Sequence, residues 1–546
     1  SEAQLVLLEA RGLAGRRDPR ALGAAQQVAE VLEAGGSELA AAAWLLAGRL
    51  AARIEGSAAA GLLARSAAHR GDMAPLVRAT GWLAQGLAQE LAGDSRGVLL
   101  ACRRGLGELD THLGTLGSSE LRALAAVHGE DLARLALRHA VAGPPRRLLT
   151  WSERWRAASL AQPPVRPAPH DDTSAPLAAL RDNARRLAAA RSEGADVALL
   201  LTERTRLEHE VRRRLRRTAG THATPTTGLD VSRLADALGS TTLVEIVEVE
   251  TQLHAVVLRD GRARRLSVGP AADADRALDF ARYALRRAGR GRPAALADAG
   301  ARLQDALLGA AAQQLRGVPA VVLSPTSRLH GAPWGLLPVL SDVPHGVVPS
   351  ATLWLRATGR QPASDRRVFV CGPGLTTGGA EVAVVAPRHP DATVLRDGAA
   401  TVENTLDALD GAGLAHIAAH GHFREDSPLF SSLHLDDGPL TVHDLELLAS
   451  PPHRVVLSAC ESGVTAAIGA GELLGLVTAL LSAGTAGVMA SVVAVNDEAT
   501  SDLMVDVHAG LEAGEDLAGA LQRARTAARG DPVREATAAS FLALGV

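Results

Sequence analysis

The stretches LAHIAAHGHF (414–423) and HRVVLSACESG (453–463) decide how this chain is read. Each opens as a short, mostly apolar run and ends in a reactive side chain followed by small residues. The first ends at His420-Gly421, the second at Cys460-Glu461-Ser462-Gly463. Runs that are apolar on both faces belong to strands covered on both sides, and so to a mostly parallel sheet between helical layers. In open sheets of that kind, sites form outside the carboxyl ends of strands. A cysteine at one strand end and a histidine at another are then expected to face each other across a short gap.

The chemistry follows from that placement. A cysteine is the strongest nucleophile a protein offers at neutral pH. A neighbouring imidazole raises its thiolate fraction and later protonates a leaving amine. Cys460 is therefore the expected nucleophile and His420 the expected base. The acyl intermediate needs amide donors for its oxyanion, and the N–H groups of Gly421 and Cys460 are the candidates. Buried cysteines are common and inert, but the adjoining Glu-Ser-Gly and the matching histidine strand favour the catalytic reading over that one. Cys102 and Cys371 lack such neighbours and read as structural.

Outward from these strands, VPAVVLSP, GVVPSA, RRVFVCG and TAGVMASVVAV are further short apolar runs separated by helical stretches. TTLVEIVEVETQLHAVVLRDGRARRLSV carries β-branched strands and an Asp260-Gly261 hairpin signal. The C-terminal half is thus α/β. Residues 1 to about 160 read instead as helices joined by short turns, with apolar residues at three- and four-residue spacing. Trp44 and Trp82 are 38 residues apart, and each is followed four residues later by a glycine, Gly48 or Gly86. That period suits a solenoid of helical hairpins, whose small residues let two helices approach closely; an irregular bundle is the alternative. AQPPVRPAPHDDTSAP (161–176) is a Pro-rich linker. A long amphipathic segment follows, with Leu177, Leu180, Leu187, Leu200, Leu207, Val211 and Leu215 on its apolar stripe.

Several ordered blocks together resemble the CHAT domain, a caspase-like peptidase unit often attached to tetratricopeptide repeats. They are LSPTSRLHGAPWGLLP (323–338), RDGAATVENTLDAL (396–409), LAHIAAHGHF, VVLSACESG and GVMASVVAVNDEAT (487–500). The resemblance covers about 230–546. It implies a caspase-like fold with helices on both faces of the sheet and a cysteine endopeptidase with a His420–Cys460 dyad. It further implies a substrate cleft lined by Glu461, Ser491, Val493 and Asp497. Where the family usually carries a Trp in its Ser-x-Trp-x-Val block, this chain has Val493, which alters the shape of the specificity pocket. The implied partners are a protein substrate and a protein activator on the helical repeats, in bacterial regulation or defence. A catalytically silent caspase-fold scaffold is the rival.

The expected layout is a helical repeat domain (1–160), a linker and connector helix (161–229), a scaffold half (230–360) and a catalytic half (361–546). Composition removes several other chemistries. All 57 basic residues are arginine, so neither a P-loop lysine nor a Schiff-base lysine is present. No organic cofactor is expected. His416, His420 and His422 alternate on one strand, but no third ligand stands out, and no metal is expected. The formal charge of −3 gives no global pull towards nucleic acid, and RRRLRR (212–217) reads as a solvated helix face rather than a nucleic-acid contact. Asp436, Asp437, Asp497 and Glu498 are acidic loop residues with the chemistry to select a basic substrate residue. Three scattered cysteines, no signal-peptide pattern and no apolar run long enough to span a membrane fit a cytoplasmic protein.

Overall fold

The computed structural model describes residues 19–54, 56–156, 158–161, 174–217, 228–375, 379–424, 427–458, 466–468 and 472–546. They fall into two compact units. The first is built on described residues up to Leu116 and on Leu124–Ala158, the second on 117–123 and, beyond that, the hairpin and sheet described below.

The first unit is all helix, from Pro19–Ala34 to Pro145–Glu153. Its alanine-rich sequence leaves little side-chain bulk between helices, and the glycines mark the closest approaches. A Cβ on Gly48 would lie 2.7 Å from Leu63 Cγ on the next helix. One on Gly86 would lie 2.9 Å from Leu135 Cδ2 and 3.8 Å from Cys102 Sγ. Both glycines that follow the spaced tryptophans thus serve helix contact, and Trp44 is fully buried.

The second unit is built on an eleven-stranded sheet. In chain order its first strands are β1 (Thr242–Val249), β2 (Gln252–Arg259), β3 (Arg262–Pro270), β4 (Val321–Ser324), β5 (His345–Val347), β6 (Arg367–Cys371), β7 (Thr393–Leu395) and β8 (Leu414–Ala418). A small sheet of β9 (Gly421–His422), β10 (Ser432–Leu435) and β11 (Gly438–Thr441) follows immediately. Then come β12 (Arg454–Ser458), the short ladder of β13 (Ala466–Ile468) and β14 (Glu472–Leu474), β15 (Gly487–Ser491) and β16 (Phe541–Gly545). The large sheet runs β3-β2-β1-β4-β5-β16-β15-β12-β8-β6-β7. Asp260 and Gly261 turn between β2 and β3 at φ 48° and 68°, the paired positive values of a type I′ hairpin. Apart from β1–β2, β2–β3 and β15–β16, neighbouring strands are parallel.

Strand alternation splits the core across the sheet. Ala415, Ile417, Val455 and Leu457 pack on one face with Leu476, Val477 and Leu480. On the other face Val456 meets Leu503, Met504 and Val507, while Ala418 meets Val382 and Val385. Burying each large aliphatic side chain contributes about 1.5–3 kcal/mol, which explains why strands covered on both sides carry so few polar residues. β16 was not apparent from the sequence, because ATAASFLALGV runs on from a helical pattern into a final five-residue strand. It lies antiparallel to β15 and parallel to β5, making one sheet of two halves. Buried Arg525 closes that seam by donating to His345 Nε2 at 2.8 Å and to the Phe541 carbonyl at 2.8 Å.

The stretch expected to form one connector helix is two, Ser174–Ser192 and Ala198–Leu215. Gly194, at φ 68°, ends the first in the left-handed conformation. Asp196 opens the second by accepting the Ala198 N–H at 2.9 Å. Buried Asn183 donates to Leu200 O and Glu203 Oε2, joining the two. The apolar stripe then covers Phe430 of the second unit with Leu177, Leu180, Leu207 and Val211. Among the described residues no helix is long and apolar enough to cross a membrane.

Candidate active site

β8 and β12 are adjacent and parallel, from Leu414↔Arg454 to Ala418↔Ser458. His420 stands two residues beyond the last of these pairs and is exposed. Its Nε2 lies 3.0 Å from the Gly374 carbonyl oxygen. A carbonyl only accepts, so Nε2 carries the proton and Nδ1 is left as the basic nitrogen of the neutral ring. Gly374 belongs to the Gly372-Pro373-Gly374 turn that ends β6, and its φ of 75° suits glycine. Gly372 donates its N–H to Ala418 O at 2.7 Å. A Cβ at Gly372 would collide with the His434 carbonyl oxygen. The β6 and β8 ends can therefore close on each other only with glycine there. Neither Gly374 nor Gly372 was singled out from the sequence, although a Gly-Pro-Gly directly after a buried strand is a recognisable signal.

The backbone on the other side of the histidine is also fixed. His434 N–H donates to His420 O at 2.8 Å, and Gly421 pairs with Leu433 across β9 and β10. That bond makes Gly421–Leu433 a non-hydrogen-bonded pair of the antiparallel ladder, so the register leaves the Gly421 N–H outside it.

Cys460 and Glu461 lie outside the described residues. Ser458, the last residue of β12, is buried and donates to Glu381 Oε1 at 3.0 Å, and Glu381 is itself buried. The remaining sequence candidates are dispersed. Ser491 ends β15 and is fully buried. Val493 is fully buried too, packed with Leu285, Ala288, Ala536 and Ala539, which makes it a core position rather than an open wall. Asp497 is half-buried in the first turn of the Asp497–Glu512 helix, where its charge suits the positive end of the helix dipole. Asp436 and Asp437 are structural. Their carboxylates accept the Ala400 and Val402 N–H groups at 2.9 and 2.8 Å and fasten the β10–β11 turn.

The two other cysteines are poor nucleophiles. Burial, and then the neighbouring Glu381, raise the pKa of Cys371, which ends β6 in register with Ala418. Burial pushes Cys102 up to about 12. His416 is a core residue. It is fully buried, with Nδ1 2.8 Å from His508 Nε2 and the rings stacked. Burial lowers its pKa to about 4. Burial and then His416 lower that of His508 to about 2. His422 is exposed. Among the described residues there is no group of three or more His, Cys, Asp or Glu side chains placed to hold a metal ion.

No curated protein matches the chain. Two similar solved structures are of the Saccharomyces cerevisiae separase–securin complex. One, at 2.6 Å resolution, has a TM-score of 0.47 and 9% identity, covering 100% of this chain and 53% of that chain. The other, at 3.0 Å, has a TM-score of 0.45 and 11% identity, covering 96% and 45%. This chain spans about half the length of each. Residues 297–543 match the family profile of the CHAT domain. That matched span lies within the second unit and holds β4–β15, the His420 turn and most of the seam strand.

Proposed function

We propose that this protein is a cysteine endopeptidase of the caspase-like kind, with His420 as base and Cys460 as nucleophile. The observation that carries the reading is the β8–β12 register. Every described pair is offset by 40 residues, which is also the spacing of His420 and Cys460. Counted along the sequence, each is two residues past the Ala418↔Ser458 pair that ends these two adjacent parallel strands.

In the reaction, Nδ1 of His420 takes the proton from Cys460 Sγ, while Nε2–H stays on the Gly374 carbonyl. The thiolate adds to the scissile carbonyl carbon. The oxyanion that forms is met by the N–H groups of Gly421 and Cys460, and the ladder-free Gly421 amide supports that role. The tetrahedral species collapses as the imidazolium gives its Nδ1 proton to the departing amine, leaving a thioester on Cys460. Water then attacks the thioester as Nδ1 takes one of its protons, and the carboxylate product leaves with the thiol restored. Glu461 and Asp497 are assigned to the cleft wall by family resemblance. A protein is the substrate, and the helical first unit is the place for a protein partner to act.

A peptide carrying an electrophilic group tests this. It should label Cys460 covalently in the intact chain, and His420→Ala should slow labelling by at least about 100-fold. Absence of labelling at Cys460 by a broad peptide series would favour the silent scaffold instead.

A further inference from the structure

The turn that presents His420 and Gly421 is gripped from outside the CHAT domain. Arg424, three residues past Gly421, forms an ion pair with Glu208 of the Ala198–Leu215 helix. The Arg424 side chain is 13% exposed and that of Glu208 8%, so both charges are largely withdrawn from water. Glu208 also faces Arg204, at 3.6 Å. One helical turn on, Arg212 donates to Ser427 Oγ and sets its guanidinium 5.1 Å from the centre of the Phe430 ring. Phe430 is covered by the apolar stripe of the hairpin. From the other helix, Arg181 pairs with Asp444 at 3.0 Å, and Asp444 in turn accepts from the Thr441 N–H and Oγ1 at the end of β11. Gly438, which opens β11, lies so close to Arg181 that a Cβ would stand 3.1 Å from the Arg181 Cβ.

These contacts land on the segments that flank β10, and β10 holds the histidine backbone through the His434 N–H. The ring itself is held separately, by the Gly374 carbonyl. We propose that the Glu208–Arg424 pair is a positioning pair for the His420–Gly421 turn, supplied by a helical hairpin that lies before the CHAT domain. The pair touches no reacting atom. It fixes the carboxyl side of the turn so that Nδ1 and the Gly421 N–H keep their places relative to β12. Removing one charge takes a close ion pair away from the other, which is largely withdrawn from water, and the segment shifts to regain water. A displacement of about 1 Å at such a turn is enough to cost about 100-fold in rate. The proposal rests on His420 being the base.

The test uses the full chain, with Glu208→Gln, Arg424→Gln and the charge exchange Glu208→Arg/Arg424→Glu. Turnover is read on a fluorogenic tetrapeptide library, and Cys460 reactivity by its rate of alkylation with iodoacetamide across pH. Each single variant should lower kcat by at least about tenfold with KM changed by less than about threefold. It should also move the alkylation profile towards that of an isolated thiol, and the exchange should recover part of both losses. A kcat that falls only with the folded fraction, and an alkylation profile left in place, would overturn the proposal. Should Glu208→Gln fail to fold, Glu208→Asp keeps the charge, shortens its reach and carries the same test. If wild-type Cys460 already alkylates like an isolated thiol and is indifferent to His420→Ala, the dyad itself fails and the positioning role falls with it.

Discussion

Each half of the sheet presents a His-Gly pair beyond a parallel strand, and the two pairs have different fates. In the first half, His330-Gly331 follows β4, with Nε2 3.2 Å from the Val348 carbonyl oxygen. In the second, His420-Gly421 follows β8, with Nε2 3.0 Å from the Gly374 carbonyl oxygen. The tautomer logic is the same for both. The difference is access, since His330 is only 4% exposed and His420 is open. The neighbouring strands differ as well: β12 runs beside β8 towards a cysteine, whereas β1 and β5 flank β4. The same carbonyl-held arrangement is thus closed to solvent at His330 and open to it at His420.

The strongest way to break that comparison is to exchange the loss between the halves. Cys460→Ala and His420→Ala should each reduce peptide cleavage by at least about 1,000-fold with the melting temperature little changed. His330→Ala should do the opposite, lowering stability by about 1–3 kcal/mol through an orphaned buried carbonyl while turnover per folded molecule stays within about threefold. Turnover that survives in the Cys460 variant would remove the contrast.

A second test acts on the approach of β6 to β8. Gly372→Ala should drive the His434 carbonyl away and lower kcat by at least about tenfold, because the His420 backbone hangs from His434. Unchanged kcat would mean that the turn relaxes independently of the histidine.

Acid sharpens the comparison from the stability side. Burial lowers the pKa of His416 to about 4, and burial and then Arg525 lower that of His345 to about 3. In the unfolded chain both titrate near 6.5, so below that pH the unfolded state takes up protons that the folded state refuses. The stability these neutral histidines confer is complete above pH 6.5 and drains as pH falls towards their folded values. For His416 this amounts to about 3 kcal/mol. Urea midpoints at pH 7.5 and 5 should show the loss, and His416→Leu should flatten it. An identical pH slope in that variant would refute the burial argument.

The smallest effect belongs to the acidic loop. Asp437→Ala should cost about 1 kcal/mol of stability by freeing the Val402 N–H, with no change in preference among basic, acidic and apolar peptides. A changed preference would return that carboxylate to the substrate cleft.

What the sequence made legible was whatever a local pattern encodes. The apolar runs of β4, β6, β8, β12 and β15, the Asp260-Gly261 turn and the histidine at its strand end could all be read from spacing. β16 escaped because its register is set by two distant strands and by Arg525 reaching His345 across the seam. The hairpin was read as one helix because its apolar stripe continues past Gly194, and only the left-handed glycine breaks it. Asp436 and Asp437 looked like substrate acids because nothing local shows that their partners are amides some 35 residues earlier. Val493 sits where the family pattern puts a tryptophan, yet its burial depends on helices 200 residues before it and 40 after.

The most direct measurement is a crystal structure of the full chain with a peptidyl electrophile bound to Cys460. The account predicts Cys460 Sγ within about 3 to 6 Å of His420 Nδ1, with Nε2 still on the Gly374 carbonyl and an oxygen of the adduct facing the Gly421 N–H. A separation beyond about 10 Å, or a ring turned so that Nε2 faces the sulfur, would contradict it.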